Sequence, residues 1–188
     1  MKIDRKNLIW FIVGLLVGAI VIFVDLYTKH LATEALRTKS IVIIKDFFSL
    51  VYVRNTGAAW GIFSNSTQML SVVSIVTGLA LVFAVYCSKS RFFTISTWLI
   101  IGGAAGNLYE RIHQGFVTDF LAFNIFGYEF PRFNVADSCI CIGCALLIIY
   151  VLFIAKEGRK TFREGTPMDK LLNISFFKKK EEKKVDEQ

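Results

Sequence analysis

Histidine and proline are scarce in this sequence of 188 residues, which contains two of each. Both histidines, His30 and His113, fall outside the long apolar runs, and neither HExxH nor GxSxG occurs. These gaps exclude an HExxH zinc site, and they leave a serine or cysteine nucleophile without a histidine base at the depth of those runs. Any hydrolytic chemistry is therefore expected to use carboxylates.

Cysteine is also too sparse to predict a disulfide framework or a zinc site. Three of the four cysteines, Cys139, Cys141 and Cys144, lie in one apolar run, and Cys87 ends another. On a helix the three do not share one face, and none has the paired spacing of zinc ligands. We interpret them as small apolar side chains and expect no metal and no cofactor.

Charge is low for a soluble protein, at 20% of residues, whereas 54% are hydrophobic and the mean hydropathy is +0.53. This balance disfavours both a disordered chain and an ordinary soluble globule. Four runs without a charged residue are each long enough to form a transmembrane helix, for which about 17–25 residues are needed. They span residues 8–24, 69–87, 92–109 and 138–155. The first exceeds a signal-peptide core and lacks an A-x-A cleavage site, so we predict a retained helix.

The positive charge lies on one side of these predicted helices. Of the 22 Lys and Arg residues, 15 fall in the N-terminus, the loop after the second run and the tail at 156–188. Both termini are therefore predicted to be cytoplasmic. The whole net charge of +7 lies on this side. It is expected to meet anionic membrane lipid rather than nucleic acid.

The opposite side then contains two sizeable outer segments, residues 26–68 and 110–137. The β-branched and aromatic runs 41–44 and 47–53 predict short strands in the first, with a turn at Asn55. The second segment is rich in phenylalanine. Either it lies in the membrane interface, or it forms a small hydrophobic core over the helix ends.

Ionisable residues near the outer ends of the helices are candidates for function, because charges at membrane depth are costly. Asp25 and Lys29 share one helical face, although they also fit an ion pair with Lys29 reaching to the interface. Asp119 and Asp137 follow the third run and begin the fourth, and Asn134 is a candidate N-cap for Asp137. Two such carboxylates can converge and share a proton, or Asp137 can simply complement the helix dipole.

Five motifs in order resemble the lipoprotein signal peptidases of bacterial plasma membranes. They are Asp25-Leu-Tyr-Thr-Lys29, Asn55-Thr-Gly57-Ala-Ala-Trp60-Gly61, Gly102-Gly103-Ala-Ala-Gly106-Asn107 with Arg111, Val117-Thr-Asp119-Phe120, and Phe133-Asn134-Val-Ala136-Asp137. The resemblance covers about residues 8–155. Two positions depart from the family pattern: Trp60 replaces the usual Phe, and Glu110 replaces the usual Asp.

The resemblance implies an all-α integral membrane protein with four transmembrane helices and a small extracytoplasmic β-sheet cradle. It implies an aspartic endopeptidase that cuts diacylglyceryl-modified preprolipoproteins on the amino side of the lipid-modified cysteine. By the family pattern, Asp119 and Asp137 are the catalytic pair. The supporting or substrate-binding residues are Asp25, Lys29, Asn55, Gly57, Asn107, Arg111, Asn134 and Ala136. We expect a monomer with its site near the outer face and residues 156–188 as a cytoplasmic tail.

Two other classes of protein remain open on the sequence. Charges in membrane helices also occur in small transporters and channel subunits, although these predict charges near the middle of a span. A membrane scaffold would use Asp25–Lys29 and Arg111 only as structural ion pairs.

Overall fold

A computed structural model describes residues 4–57, 66–155 and 161–171. The chain is mostly helical, with one small antiparallel sheet. In chain order the elements are α1 Arg5–Leu36, β1 Ile41–Ile44, β2 Phe48–Asn55, α2 Thr67–Cys87, α3 Arg91–Gln114, β3 Val117–Ile125, β4 Tyr128–Glu129 and α4 Val135–Ile149. A π-helical turn, Tyr150–Ile154, extends α4.

Among the described residues, three helices are long and apolar enough to cross a membrane. They are α1, α2 and α4 with its π-helical turn. The predicted third span, 92–109, does form a helix, but α3 is less apolar than the other three. The prediction of four transmembrane helices is therefore only partly confirmed.

The reason lies in the position of α3, which packs against α1, α2 and α4. A helix with three protein neighbours contacts little lipid, so it buries small and hydroxyl-bearing residues. Ser96 and Thr97 are buried and donate to the carbonyls of Phe92 and Phe93, at 2.8 and 2.7 Å. These bonds satisfy the two hydroxyl groups within the helix. The polar side chains therefore lower the mean hydropathy of α3 without leaving either hydroxyl unbonded.

Glycines allow α1 and α3 to approach closely. Gly14 and Gly18 lie against the indole ring of Trp98, and a Cβ atom built on Gly102 would stand 2.8 Å from the carbonyl oxygen of Gly18. Small residues four apart on both helices thus form the contact, as in GxxxG pairs of membrane helices. The contact holds α1 and α3 in the register that the site needs.

Helix α1 extends well beyond its predicted span of residues 8–24 and ends at Leu36. The first outer segment is therefore helical over its first part. Asp25 and Lys29 lie inside this continuous helix instead of at its end. The extension brings Leu36 and Ala32 into contact with Phe120 beneath the sheet.

The sheet has the order β1-β2-β3-β4, with all neighbours antiparallel. Strands β1 and β2 lie where the sequence predicted them. The long strand β3 was not predicted, so the cradle combines both outer segments instead of the first alone. In register, Phe48 pairs with Phe123 and Asn55 with Val117. This pairing joins the turn after β2 to the strand that carries Asp119.

The small hydrophobic core that was one interpretation of the second outer segment is present, and the outer edge of the sheet differs from it. Phe120 is buried against α1, which is the small hydrophobic core over the helix ends. By contrast, all four residues of β1 are exposed, and Phe126 at the β3–β4 turn is fully exposed with a positive φ of 52°. One face of the sheet therefore forms a core, and its outer edge presents apolar side chains.

Most of the predicted tail, 156–188, lies outside the described residues. Its described part, 161–171, returns to the loop between α2 and α3. Phe162 is buried there with Ala84 and Cys87. This part of the tail thus packs on the helix ends.

Candidate active site

Asn134 connects the two predicted catalytic carboxylates. Its side-chain Nδ2 donates to Asp119 Oδ1 at 2.7 Å, and its Oδ1 accepts from the backbone N–H of Asp137 at 3.0 Å. The backbone N–H of Asn134 in turn donates to Asp137 Oδ2 at 3.2 Å, completing a capping box. The start of α4 is therefore built so that one asparagine holds both aspartates.

Asp119 lies on β3 and is 2% exposed. Its Oδ2 accepts from Asn55 Nδ2 at 2.8 Å, across the β2–β3 pairing. Burial, and after it the charge of Asp137, raise the pKa of Asp119 to about 6, while the bonds from Asn55 and Asn134 oppose the shift. Asp119 is thus a carboxyl that can hold a proton near neutral pH.

Asp137 is only half-buried, in the first turn of α4. Its Oδ1 accepts from Asn107 Nδ2 at 2.8 Å. The pair is therefore asymmetric: Asp119 is enclosed, and Asp137 is the more accessible carboxylate. Different surroundings of this kind separate the protonation states of two neighbouring carboxyls.

Lys29 is the centre of the support beneath this pair. Its Nζ contacts Asn107 Oδ1 at 2.7 Å, Asp25 Oδ2 at 2.8 Å and Glu110 Oε2 at 3.2 Å. With 1% exposure it does not reach to the interface, so the alternative of an ion pair with Lys29 extended to the surface is wrong. The ammonium group instead fixes the amide of Asn107, which orients its Nδ2 toward Asp137.

Asp25 joins α1 to the start of α4. Its Oδ1 accepts from the backbone N–H of Ala136 at 2.8 Å. Glycines make room for this contact, because a Cβ atom built on Gly106 would stand 2.5 Å from Asp25 Oδ2, and one on Gly103 would collide with the carbonyl of Ala136. The predicted role of Ala136 is thus carried by its backbone.

Arg111 and Gly57 close the other side of the site. Arg111 Nη2 donates to the carbonyl of Gly57 at 3.3 Å, and the N–H of Gly57 donates to Asn55 Oδ1 at 2.9 Å. The charge of Arg111 also interacts favourably with Asp137 and Asp119. Residues 58–65 follow this turn, and Trp60 and Gly61 of the second motif lie among them, outside the described residues.

All ten predicted site residues belong to one continuous hydrogen-bond and ion-pair network. In the following order each residue bonds to the next: Arg111, Gly57, Asn55, Asp119, Asn134, Asp137, Asn107, Lys29, Asp25 and Ala136. They come from α1, the end of β2, α3, β3 and α4. Long-range folding, not sequence proximity, brings them together.

Glu110 and Thr118 belong to the same network but were not among the predicted site residues. Glu110 Oε2 accepts from the N–H of Thr118 at 2.8 Å, and its Oε1 accepts from the Thr118 hydroxyl at 2.8 Å and from Gln114 at 2.6 Å. Glu110 therefore ties α3 to the residue preceding Asp119. Its signal in the sequence was the departure from the usual Asp; Thr118 gave none beyond its place next to Asp119.

No cluster of three or more His, Cys, Asp or Glu side chains suited to a metal ion occurs within residues 4–57, 66–155 and 161–171. The fold and the network define a class: a membrane protein of several helices with a buried carboxylate–amide cluster beside a small sheet. Carboxylates held in this way by amides and cations are suited to general acid–base chemistry.

The chain belongs to the signal peptidase II family. The family model described as "Signal peptidase (SPase) II" matches residues 17–153. A lipoprotein signal peptidase of Clostridium acetobutylicum is 41% identical over 150 residues, covering 78% of this chain and 96% of the relative. Another, of Halothermothrix orenii, is 45% identical over 145 residues, covering 76% and 97%.

A solved structure, a bacterial membrane enzyme determined by the in meso method at 2.3 Å, has the same fold. It aligns with a TM-score of 0.70 at 33% identity, over 81% of this chain and 94% of that one. As a member of this family, the chain is a protease that removes signal peptides from prolipoproteins. Membership assigns it to the proteases instead of to transporters or scaffolds.

Proposed function

We propose that Asp119 and Asp137 are the catalytic pair that cleaves diacylglyceryl-modified preprolipoproteins on the amino side of the lipid-modified cysteine. The observation that carries the proposal is the bridge through Asn134, whose side-chain Nδ2 donates to the carboxyl group of Asp119 and whose backbone N–H donates to that of Asp137. Two carboxyls in unequal surroundings supply one protonated and one ionised partner, the combination that an aspartic peptidase requires.

In the proposed mechanism, Asp137 is the general base and Asp119 the general acid. The more accessible Asp137 removes a proton from a water molecule as its oxygen attacks the scissile carbonyl carbon. Asp119, whose raised pKa of about 6 leaves a protonated fraction at mildly acidic to neutral pH, reacts in that form and donates its proton to the carbonyl oxygen. The resulting diol collapses when Asp137 gives its new proton to the amide nitrogen, Asp119 takes a proton from a diol hydroxyl, and the carbon–nitrogen bond breaks. Both carboxyls then regain their starting states.

The remaining predicted residues position this pair or the substrate. Asn55 donates a hydrogen bond to Asp119, Asn107 donates one to Asp137, and Lys29 fixes the side chain of Asn107. Arg111 bonds to the backbone of the turn after β2 and braces the open side of the site. Side chains locked by such neighbours keep the reacting groups within a few tenths of an ångström of their working geometry.

The proposed substrate carries lipid, and the outer edge of the sheet is suited to contact with lipid. Strand β1 exposes four consecutive aliphatic residues, Ile41–Ile44, and Phe126 is exposed at the tip of the neighbouring turn. Apolar patches of this kind on a membrane protein mark contact with lipid or with a lipid-bearing partner. The diacylglyceryl group would thus remain in the membrane while the peptide enters the site.

For topology, we propose that α3 is a fourth span and that the chain acts as a monomer in the bacterial plasma membrane. Its 24 residues exceed the about 20 that a transmembrane helix needs, and it packs between three helices. The bias of Lys and Arg then leaves both termini in the cytoplasm and the site near the outer face.

Asp119→Asn and Asp137→Asn test the catalytic pair, assayed in detergent with a lipid-modified preprolipoprotein. Each is expected to lower kcat by about 10²–10⁴-fold, the usual contribution of a general acid or base. Asp46→Asn is the matched control, because Asp46 is exposed in a positive-φ turn that asparagine tolerates. Near-normal turnover by either pair variant would refute the assignment. Equal cleavage of a lipid-free precursor by the unsubstituted enzyme would refute lipid selectivity.

A further inference from the structure

The described part of the C-terminal segment is fastened to the opposite end of the helices from the site. The N–H of Arg163 donates to the carbonyl of Cys87 at 2.9 Å, and the N–H of Lys89 donates to the carbonyl of Thr161 at 3.0 Å. Phe162, between them, is buried against Ala84 and Cys87. This short antiparallel pairing holds Arg163 in a defined place beside the ends of α1 and α2.

A cavity of about 90 Å³ lies at this place, bounded by the start of α1, the end of α2 and the first turn of α3. Its lining includes Leu8, Trp10, Tyr86, Lys89 and Arg163. A single water molecule needs about 10–15 Å³ of space measured in this way, so the cavity suits a group of a few heavy atoms, the size of a phosphate. None of the site residues lines it.

The cavity carries positive charge, and among the described residues that line it none has a carboxylate. Lys89 and Arg163 both line it, and the guanidinium of Arg91 lies 4.9 Å from the ring centroid of the lining Trp10. Among the described residues, Nε and Nη1 of Arg163 are buried without a hydrogen-bond partner; Nη2 bonds to the carbonyl of Tyr86. Buried donors of this kind favour an anionic acceptor, and a guanidinium binds phosphate through two N–H groups.

We propose that this cavity binds the phosphate of an anionic phospholipid. Leu8 and Tyr86 line the cavity and are 46% and 40% exposed, so an acyl chain can leave it along apolar side chains. Basic pockets between membrane helices bind lipid headgroups in this manner. Under the topology of the proposed function the lipid comes from the inner leaflet, where anionic lipid meets the basic termini. The bound lipid would fasten the segment at 161–163 to the helix ends.

Native mass spectrometry of the full chain in detergent tests the proposal, by titration with dioleoylphosphatidylglycerol, dioleoylphosphatidylcholine or inorganic phosphate. Phosphatidylglycerol is expected to bind most tightly. Lys89→Gln should weaken it about fivefold, and Lys89→Gln with Arg163→Gln about 25-fold, since each basic residue near a membrane surface contributes about that factor. The matched control, Arg37→Gln with Lys39→Gln, removes the same charge at the other end of α1 and should leave the affinity unchanged.

Lys89→Gln is decisive if the Arg163 variant loosens the segment, because Lys89 pairs with Thr161 through its backbone. Unchanged phosphatidylglycerol affinity in Lys89→Gln would overturn the proposal. Equal affinity for phosphatidylcholine would overturn the anionic selectivity, and equally tight inorganic phosphate would overturn a lipid as the source. The assay measures lipid and not cleavage, so its failure is distinct from a failure of the proposed catalytic pair.

Discussion

Lys29 Nζ lies 2.8 Å from Asp25 Oδ2, and both side chains are almost fully buried, at 1% and 0% exposure. The two residues are one turn apart on α1, yet each contacts another helix. Asp25 accepts from the backbone of Ala136 on α4, and Lys29 bonds to Asn107 on α3. The ion pair therefore connects three helices beneath the proposed catalytic carboxyls.

Replacing the cation of this pair is expected to destabilise the fold strongly. Lys29→Met leaves Asp25 and Glu110 as buried carboxylates without their cation, which should lower the free energy of unfolding by about 3–5 kcal/mol. Thermal unfolding in detergent measures the loss, with the exposed Lys45→Met as the control. Adding Asp25→Asn to Lys29→Met should recover part of the stability. A double variant with the full sum of both losses would contradict the coupling.

Glu110 is expected to position Asp119 through Thr118. Glu110→Gln removes the charge that pairs with Lys29 and weakens the acceptor of the Thr118 N–H, so kcat should fall with a smaller change in KM. The loss of stability should be about 1–3 kcal/mol, the cost of disturbing a buried hydrogen bond. Glu129→Gln, which alters an exposed ion pair with Arg132, is the control and should have little effect on either quantity. Wild-type kcat in Glu110→Gln would contradict a positioning role.

The raised pKa of Asp119 predicts the pH dependence of both stability and activity. Burial raises this pKa from 3.8 to about 6, so between these values the folded chain holds a proton that the unfolded chain releases. The contribution of Asp119 to the free energy of unfolding therefore decreases as the pH rises from about 4 to 6. Because the proposed acid must be protonated, kcat/KM should also fall as the pH rises past about 6.

Asn55→Ala tests the assignment of Asp119 as the acid through the pH dependence of kcat/KM. The bond from Asn55 lowers the pKa of Asp119, so its removal should move the decline of kcat/KM to higher pH. The control is Asn124→Ala on β3, the strand of Asp119, because the Asn124 side chain accepts from the N–H of Gly127 in the β3–β4 turn and does not contact the site. A decline that stays in place, or moves to lower pH, would contradict Asp119 as the protonated partner.

The close approach of α3 to Asp25 predicts opposite effects of two glycine substitutions. Gly106→Ala would place a Cβ atom 2.5 Å from Asp25 Oδ2, so overpacking should cost about 1–3 kcal/mol and disturb the ion pair. Gly78→Ala, in α2, has no neighbouring atom within 4 Å and should leave stability equal or raise it by up to about 1 kcal/mol. Thermal unfolding of the two variants side by side measures the difference. Equal effects would contradict tight packing at Gly106.

Much of the fold followed from local pattern. Uncharged runs predicted the helices, and β-branched residues predicted β1 and β2, because burial in lipid and strand pairing impose composition directly. Strand β3 was missed, since its phenylalanines fit a strand, a lipid-facing surface and a core equally well. Composition does not identify α3 as a span for a similar reason: it packs against three other helices, and so it needs fewer apolar residues.

The site residues were predicted by motif, whereas their partners depended on the fold. The spacing of Asp25 and Lys29 allowed a surface ion pair, and only the packing of α1 against α3 and α4 made the pair buried and structural. Glu110 shows the same limit. Its sequence neighbour Arg111 gave no sign that the carboxylate would bond to Thr118, eight residues further on and in the next strand.

By itself, then, the sequence determined the apolar helices, the segments in which positive charge accumulates, and the identity of the polar residues in the motifs. These properties reflect each segment's own composition. Tertiary structure alone decided which amide holds which carboxyl, that Lys29 is buried beneath Asp137, and that Asp119 is enclosed while Asp137 stays accessible. Such features depend on burial and on distances between groups far apart in the chain, and those are set only when the helices and the sheet pack together.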